Sequence, residues 1–366
     1  MSSSSVLQPP APSAKPGDPQ SFFHVKKLVQ EAGLSGRRRA HYLGLGSVLI
    51  ILLGSAVAGS ILLGHSWYQL LIAAALGILL TQFAFLAHEA AHRQILSSGK
   101  TNDKLGRFLA NVVVGISYQW WMNKHNKHHA TPNTIGKDPD IEWDTISFQP
   151  ADAQRRRGVL KWITERQGYL FFPLLTLEGL NLHIQSIRYL FTANRTKRRK
   201  REMLAIALRV GLYVALIFVF LPTGMAFAFI GVQLAVFGIY MGASFAPNHK
   251  GMPMVPGDAR IDFFSRQVLT SRNIMARSSW GNRVLSHLFG GLNYQVEHHL
   301  FPSMPRANLA AVSAIVRQYC AEHQIPYTVA SIRESYAQVI TYLNKVGLSA
   351  RDPFDCPMIS GYRVSS

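Results

Sequence analysis

Seven of the fourteen histidines stand in three tight clusters: His88-Glu89-Ala90-Ala91-His92, His125-Asn126-Lys127-His128-His129 and Gln295-Val296-Glu297-His298-His299. The spacings are those of i, i+3 and i, i+4 neighbours, so on a helix each cluster presents its imidazoles to one side. Imidazole suits iron, copper, zinc and nickel. As a neutral ligand it also carries no negative charge into apolar surroundings. Seven imidazoles brought together can hold more than one metal ion. The first cluster alone also fits H-E-x-x-H, the zinc-protease helix in which Glu is the general base. That reading leaves the five other clustered histidines without a role.

The elements that must position these residues are apolar. Of 366 residues 48% are hydrophobic and only 16% charged, against about 25% charged in an average soluble domain. Residues 43–64 and 67–87 carry no charge, and 203–222 and 225–246 contain Arg209 alone. Each is long enough as a helix to cross a hydrocarbon core about 30 Å thick. Connections of a few residues join them into two transmembrane hairpins, 41–92 and 203–246. Cys320 and Cys356 are too few and too far apart for a disulfide framework or a thiolate metal site.

The net charge of +19 is largely a topology signal. No Lys or Arg occurs from Ala40 to His92 or from Val210 to His249. Lys26, Lys27 and Arg37–Arg39 precede the first hairpin, and Arg195 and Lys197–Arg201 the second. Both termini and the long middle region are therefore expected in the cytoplasm, and all three histidine clusters fall on that side. Nucleic-acid binding has no recognition motif to support it. Residues 1–40 are expected as a disordered basic tail and 93–202 as a cytosolic and interfacial region. Within the latter, 108–121 and 168–191 are expected as helices lying at the interface, with Trp120 and Trp121 as anchors. Residues 247–366 read as a cytosolic helical cap with amphipathic stretches at 306–322 and 330–347. The fold class is thus an all-α integral membrane protein with four transmembrane helices.

The three clusters, in this order and with the two hairpins among them, resemble the histidine boxes of integral-membrane fatty-acid desaturases. The string GGLNYQVEHHLFPSMPR (Gly290 to Arg306) and the segment CAEHQIPY (Cys320 to Tyr327) resemble the front-end subgroup; APNHKGMP (Ala246 to Pro253) resembles bacterial acyl-CoA desaturases. The resemblance spans about residues 40–345. It implies two iron ions with His88, His92, His125, His128, His129, His298 and His299 as ligands. Gln295 stands where stearoyl-type enzymes have a histidine, as a weak ligand or an orienting group. One more ligand is implied near the end of the fourth helix: His249, three residues beyond that helix as drawn above, or His287. His24, His41, His65, His183 and His323 are expected to be structural or incidental.

Glu89, Asp138, Asp140 and Glu297 are candidates to accept a free imidazole N–H, which fixes the tautomer of a ligand; Asn126 and Asn248 are read the same way. The implied reaction is O2-dependent insertion of a cis double bond into an acyl chain carried by CoA or by a lipid. Gly242, Ala243, Gly290 and Gly291 are candidates to admit that chain. The sequence holds no His-Pro-Gly-Gly haem string, so electrons are expected from an external donor such as a ferredoxin or an NAD(P)H-dependent reductase. A bacterial inner membrane is the expected location. Hydroxylation of a lipid or alkane on the same scaffold is the nearest alternative.

Overall fold

The computed structural model describes residues 20–142, 145–192 and 198–350. Residues 1–19, Arg195, Lys197 and Cys356 lie outside them. The first element among the described residues is α1 (Ser21–Glu31), so the disorder expected over 1–40 does not extend through this stretch. Val25 and Val29, one helical turn apart, form an apolar stripe that is buried against Val312, Val316 and Phe264.

Among the described residues, four helices are long and apolar enough to cross a membrane: α2 (Arg39–Leu63), α3 (Gln69–Ala91), and, later in the chain, Arg199–Phe220 and Thr223–His249. The first hairpin closes at Gly64, whose φ of +53° favours a residue without a Cβ. Gln69 ties the turn by donating to the carbonyls of Ser60 and Gly64 at 2.7 and 2.8 Å. Leu43, Ile50, Ile61 and Leu62 on α2 are exposed. A helix that is apolar on every side, with most of its surface uncovered by protein, is suited to lipid.

The segment after the first hairpin differs from expectation. α4 (Gly99–Arg107) runs into a π-helix, Phe108–Val114, which stops at Gly115 with φ +92°. A new helix, α5 (Tyr118–Ala130), then starts from Ser117, whose Oγ accepts from the Trp120 N–H at 3.2 Å. Residues 108–121 are thus two elements with a turn between them. Ser117 Oγ donates to Glu202 at 2.7 Å, and Arg107 pairs with the same carboxylate at 2.9 Å. That buried contact fixes the break against the start of the second hairpin.

Short helices α6 (Pro150–Arg155) and α7 (Gly158–Thr164) lead to α8 (Gln167–Thr192), one continuous helix with Pro173 inside it. α9 (Arg199–Phe220) and α10 (Thr223–His249) form the second hairpin. α3, α8 and α10 make the centre of the bundle. Gly77 lies against the Gln233 carbonyl and Phe237; Gly179 and Gly238 bring the backbones of α8 and α10 together; Gly242 lies against Leu175. Small residues permit such close approach where lipid offers no hydrophobic drive between helices. Gly290 and Gly291 are likewise filled, by Phe85 and Arg306. The glycines proposed to admit an acyl chain therefore serve close packing.

The cap consists of α11 (Phe263–Thr270), β1 (Arg272–Ile274), α12 (Ser279–Leu288), a 3-10 turn at Leu292–Tyr294, α13 (Gln295–Leu300), α14 (Arg306–Glu322), β2 (Thr328–Ala330) and α15 (Ile332–Leu348). α14 and α15 match the two amphipathic stretches. β1 and β2 pair in parallel, Arg272 opposite Thr328, which adds a two-stranded sheet to an otherwise helical protein. Every residue from Phe289 to Phe301 is buried, with Val296 and Leu300 in the cap core.

Candidate metal centre

Four helices turn their C-terminal ends toward one place. His88 is in the last turn of α3 and His92 follows it; His125, His128 and His129 end α5; His249 ends α10; His298 and His299 end α13. Unpaired carbonyls make a helix C-terminus favourable for positive charge. The eight imidazoles are therefore gathered where a cation is stabilised before any side chain contributes.

The imidazoles fall into two groups. In one, nitrogens of His88, His92, His125, His129 and His298 lie within 4.8 Å of one another; in the other, those of His128, His249 and His299 do so. Nε2 of His125 is 3.1 Å from Nε2 of His88 and 2.8 Å from that of His92, and the His129 and His298 pair is at 3.1 Å. In the second group Nε2 of His128 and His249 are 3.3 Å apart, and Gln295 Nε2 is 2.9 Å from His249 Nε2. Nitrogens bound about 2.1 Å from one ion are ~3.0–3.4 Å apart for octahedral or tetrahedral angles. The observed separations are close to these. The groups adjoin at His129 and His299, whose rings stack at 4.2 Å.

Outer partners orient the second group. His128 Nδ1 is 3.0 Å from both oxygens of Asp138, His249 Nδ1 3.0 Å from the Thr270 carbonyl, and His299 Nδ1 2.9 Å from Gln267 Oε1. Each of these acceptors holds a proton on Nδ1 and leaves the Nε2 lone pair facing inward. His299 Nε2 is buried with no hydrogen-bond partner. Burial, with the neighbouring imidazoles, pushes His125, His129, His298 and His299 well below the ordinary range, and burial brings His92 to about 4. Burial also pulls on His128, but Asp140 and Asp138 outweigh it and raise that ring. Neutral, buried rings with converging lone pairs suit metal ions of intermediate softness.

Of the acids singled out from sequence, Asp138 bonds an imidazole directly and accepts from the N–H groups of Asn133 and Asp140 as well. Asp140 is 3.4 Å from His128 Nδ1 and pairs with Lys124 at 3.0 Å. Glu89 and Glu297 do not serve imidazoles. Glu89 is paired with Arg306, at 2.6 and 2.7 Å, so the base required by the protease reading is occupied. Glu297 accepts from Asn273 and Tyr327, both at 2.7 Å. Asn126 is exposed. Asn248 donates to Gln295 Oε1 at 3.2 Å. His249 lies within α10, not beyond it, and His287 is exposed on α12 with its Nδ1 on the Arg283 carbonyl. His183 bonds the Gly179 carbonyl and His323 stacks on Tyr319.

Sequence reasoning missed Gln267, Thr270 and Trp121. Trp121 stacks on His125 at 4.2 Å and edges His88 at 5.2 Å, so it walls the centre where an interfacial anchor was expected. No local pattern marks Gln267 or the Thr270 carbonyl, which act through contacts far along the chain. Asp138→Ala should weaken metal binding about 10–100-fold, the usual cost of losing such an outer partner. Competition with a chelator on folded protein checks this; unchanged affinity would dismiss the role.

Residues 65–331 match the family model described as fatty acid desaturase. The chain belongs to the fatty acid desaturase family. A Delta(8)-fatty-acid desaturase of Helianthus annuus is 30% identical over 315 residues, covering 82% of this chain and 68% of the relative. A Delta(6)-fatty-acid desaturase of Caenorhabditis elegans is 29% identical over 341 residues, covering 89% and 75%. An acyl-lipid (9-3)-desaturase of Borago officinalis is 29% identical over 293 residues, covering 76% and 63%. This desaturase is accordingly an oxidoreductase that acts on fatty acyl chains, and a membrane protein. All three relatives are eukaryotic, which lends nothing to the bacterial source expected above.

Proposed function

We propose that this desaturase inserts a cis double bond toward the carboxyl end of a fatty acyl chain, using two iron ions, O2 and two electrons from a separate donor protein. His88, His92, His125, His129 and His298 would hold one iron; His128, His249 and His299 would hold the other, with Gln295 beside His249. Removing hydrogen from an unactivated CH2–CH2 lies beyond side-chain acid–base chemistry, and the iron pair with O2 supplies that chemistry. The observation that carries this reading is the convergence of eight imidazoles in two adjoining groups. The Delta(6) and Delta(8) names of the relatives support the position of the bond.

The chain's own residues do the positioning. Asp138, Thr270 and Gln267 keep their histidines in the Nε2-ligand tautomer. Trp121 excludes water from one side of His125. Lys and Arg flanks before both hairpins support a cytoplasmic centre, where the basic face would steer an acidic electron donor.

Expression with a matched electron-transfer partner tests the reading. The host's fatty acids are then analysed by mass spectrometry with double-bond location. A new alkene on the carboxyl side of an existing double bond is expected. A new alcohol, or no new product with iron bound and the partner working, would overturn it. Gln295→Ala should lose less iron than loss of a box histidine if the amide only orients His249. Equal loss, measured as iron per chain, would make Gln295 a ligand.

A further inference from the structure

The end of α10 is held by a device that the histidine boxes do not include. Pro247 stands in its last turn and has no N–H, so the carbonyl of Ala243, four residues back, loses its helical partner. Tyr336 of α15 takes that place and donates to the Ala243 carbonyl at 2.9 Å. The carbonyls of Pro247 and Lys250 both accept from the Arg272 guanidinium, through Nε and Nη2. Its Nη1 donates to Gln338 Oε1, again on α15.

Arg272 is fully buried, and no carboxylate pairs with it among the described residues. A buried cation without a counter-ion is costly. Here three oxygen acceptors and the negative end of α10 offset the cost. Burial still draws its pKa down to about 10. The two carbonyls it grips lie on either side of Asn248 and His249. Those two residues face the second imidazole group: His249 through Nε2 to His128, and Asn248 through its amide to Gln295. The five-histidine group draws its ligands from α3, α5 and α13 and takes none from α10.

We infer that Arg272 is a positioning residue for the second group: with Tyr336 it holds the last turn of α10, which aims His249 at His128 and His299. Helix α15 is then a strut of the metal centre and not only a cover for the cap. This rests on the two-iron reading above. It adds that the second group alone depends on α10 and its hold by Arg272 and Tyr336, and should fail without the first.

The test is iron per chain, read on purified full-length protein in detergent after reconstitution with ferrous iron, for the wild type, Arg272→Met, Arg272→Lys, Tyr336→Phe, His249→Ala and the Arg272→Met/His249→Ala pair. The wild type is expected to hold two irons. Arg272→Met and His249→Ala should each lose one of the two, and the pair should lose no more than His249→Ala alone, because both changes act on one ligand. Arg272→Lys keeps the charge but cannot fork to two carbonyls, so it should fall between wild type and Arg272→Met. Tyr336→Phe removes only a hydroxyl and reads out the hold on the last turn of α10 if Arg272→Met does not fold. Two irons retained in Arg272→Lys and Tyr336→Phe would overturn the inference. So would equal loss from both groups in folded protein, or additive losses in the pair. A wild type that binds no metal would instead overturn the two-iron reading itself.

Discussion

His298→Ala should abolish desaturation while leaving the protein folded. His298 sits in the five-imidazole group, its Nε2 3.1 Å from that of His129 and its ring 4.7 Å from that of His88. Outer partners of metal ligands alone are worth about 10–100-fold in affinity or activity; a ligand removed outright should cost more than that. The ring is buried, yet neutral and without a carboxylate partner, so its loss leaves no stranded charge behind. The yield of folded protein and its elution in detergent should therefore stay near wild type, while iron per chain and new alkene both fall. Full activity in this variant would remove His298 from the ligand set. Loss of folded protein in step with activity would show that the ring is structural.

The second large effect concerns stability. Glu89→Ala should destabilise the protein by about 3–5 kcal/mol, because it leaves Arg306 as an uncompensated buried charge. The two side chains are 1% and 3% exposed, so solvent screening offers little relief. The loss is a large part of a typical total of about 5–15 kcal/mol. The pair joins the last turn of α3 to the first turn of α14, with the Tyr42 hydroxyl also donating to Glu89 at 3.3 Å. It therefore holds the first histidine cluster against the third. Replacing both partners by apolar residues of similar size, Glu89→Leu with Arg306→Met, should recover most of the loss, since paired removal strands no charge. Thermal unfolding in detergent measures both variants. An unaltered midpoint in Glu89→Ala would show that the pair contributes little, and failure of the double variant to recover would assign the loss to packing.

Both predictions join residues far apart in the chain, and the same division runs through the whole reading. His249 entered only through the family resemblance, whereas the four spanning helices, their pairing into hairpins, the amphipathic α14 and α15, and the metal-ligand spacing of the seven clustered histidines were legible from residue types and spacing. These depend on local quantities: helical period, length of an uncharged run, and the chemistry of imidazole. Partition of the imidazoles into groups of five and three was not legible. His128 and His129 are neighbours in sequence, yet they point into different groups because adjacent residues on α5 are turned about a hundred degrees apart. Nor did spacing show that Glu89 serves Arg306, that Glu297 serves Asn273 and Tyr327, or that Gly290 and Gly291 are packing contacts. Pro247 reads locally as the end of a helix, whereas α10 continues through it to His249 because Arg272 and Tyr336 satisfy the carbonyls left open there. Gly115 divides a run that looks uniformly apolar, and so turns α5 toward the centre. Ligand type and membrane span are properties of short segments. Which lone pair meets which depends on packing between segments far apart in the chain, as His88 and His298 are, and only the folded chain brings those together.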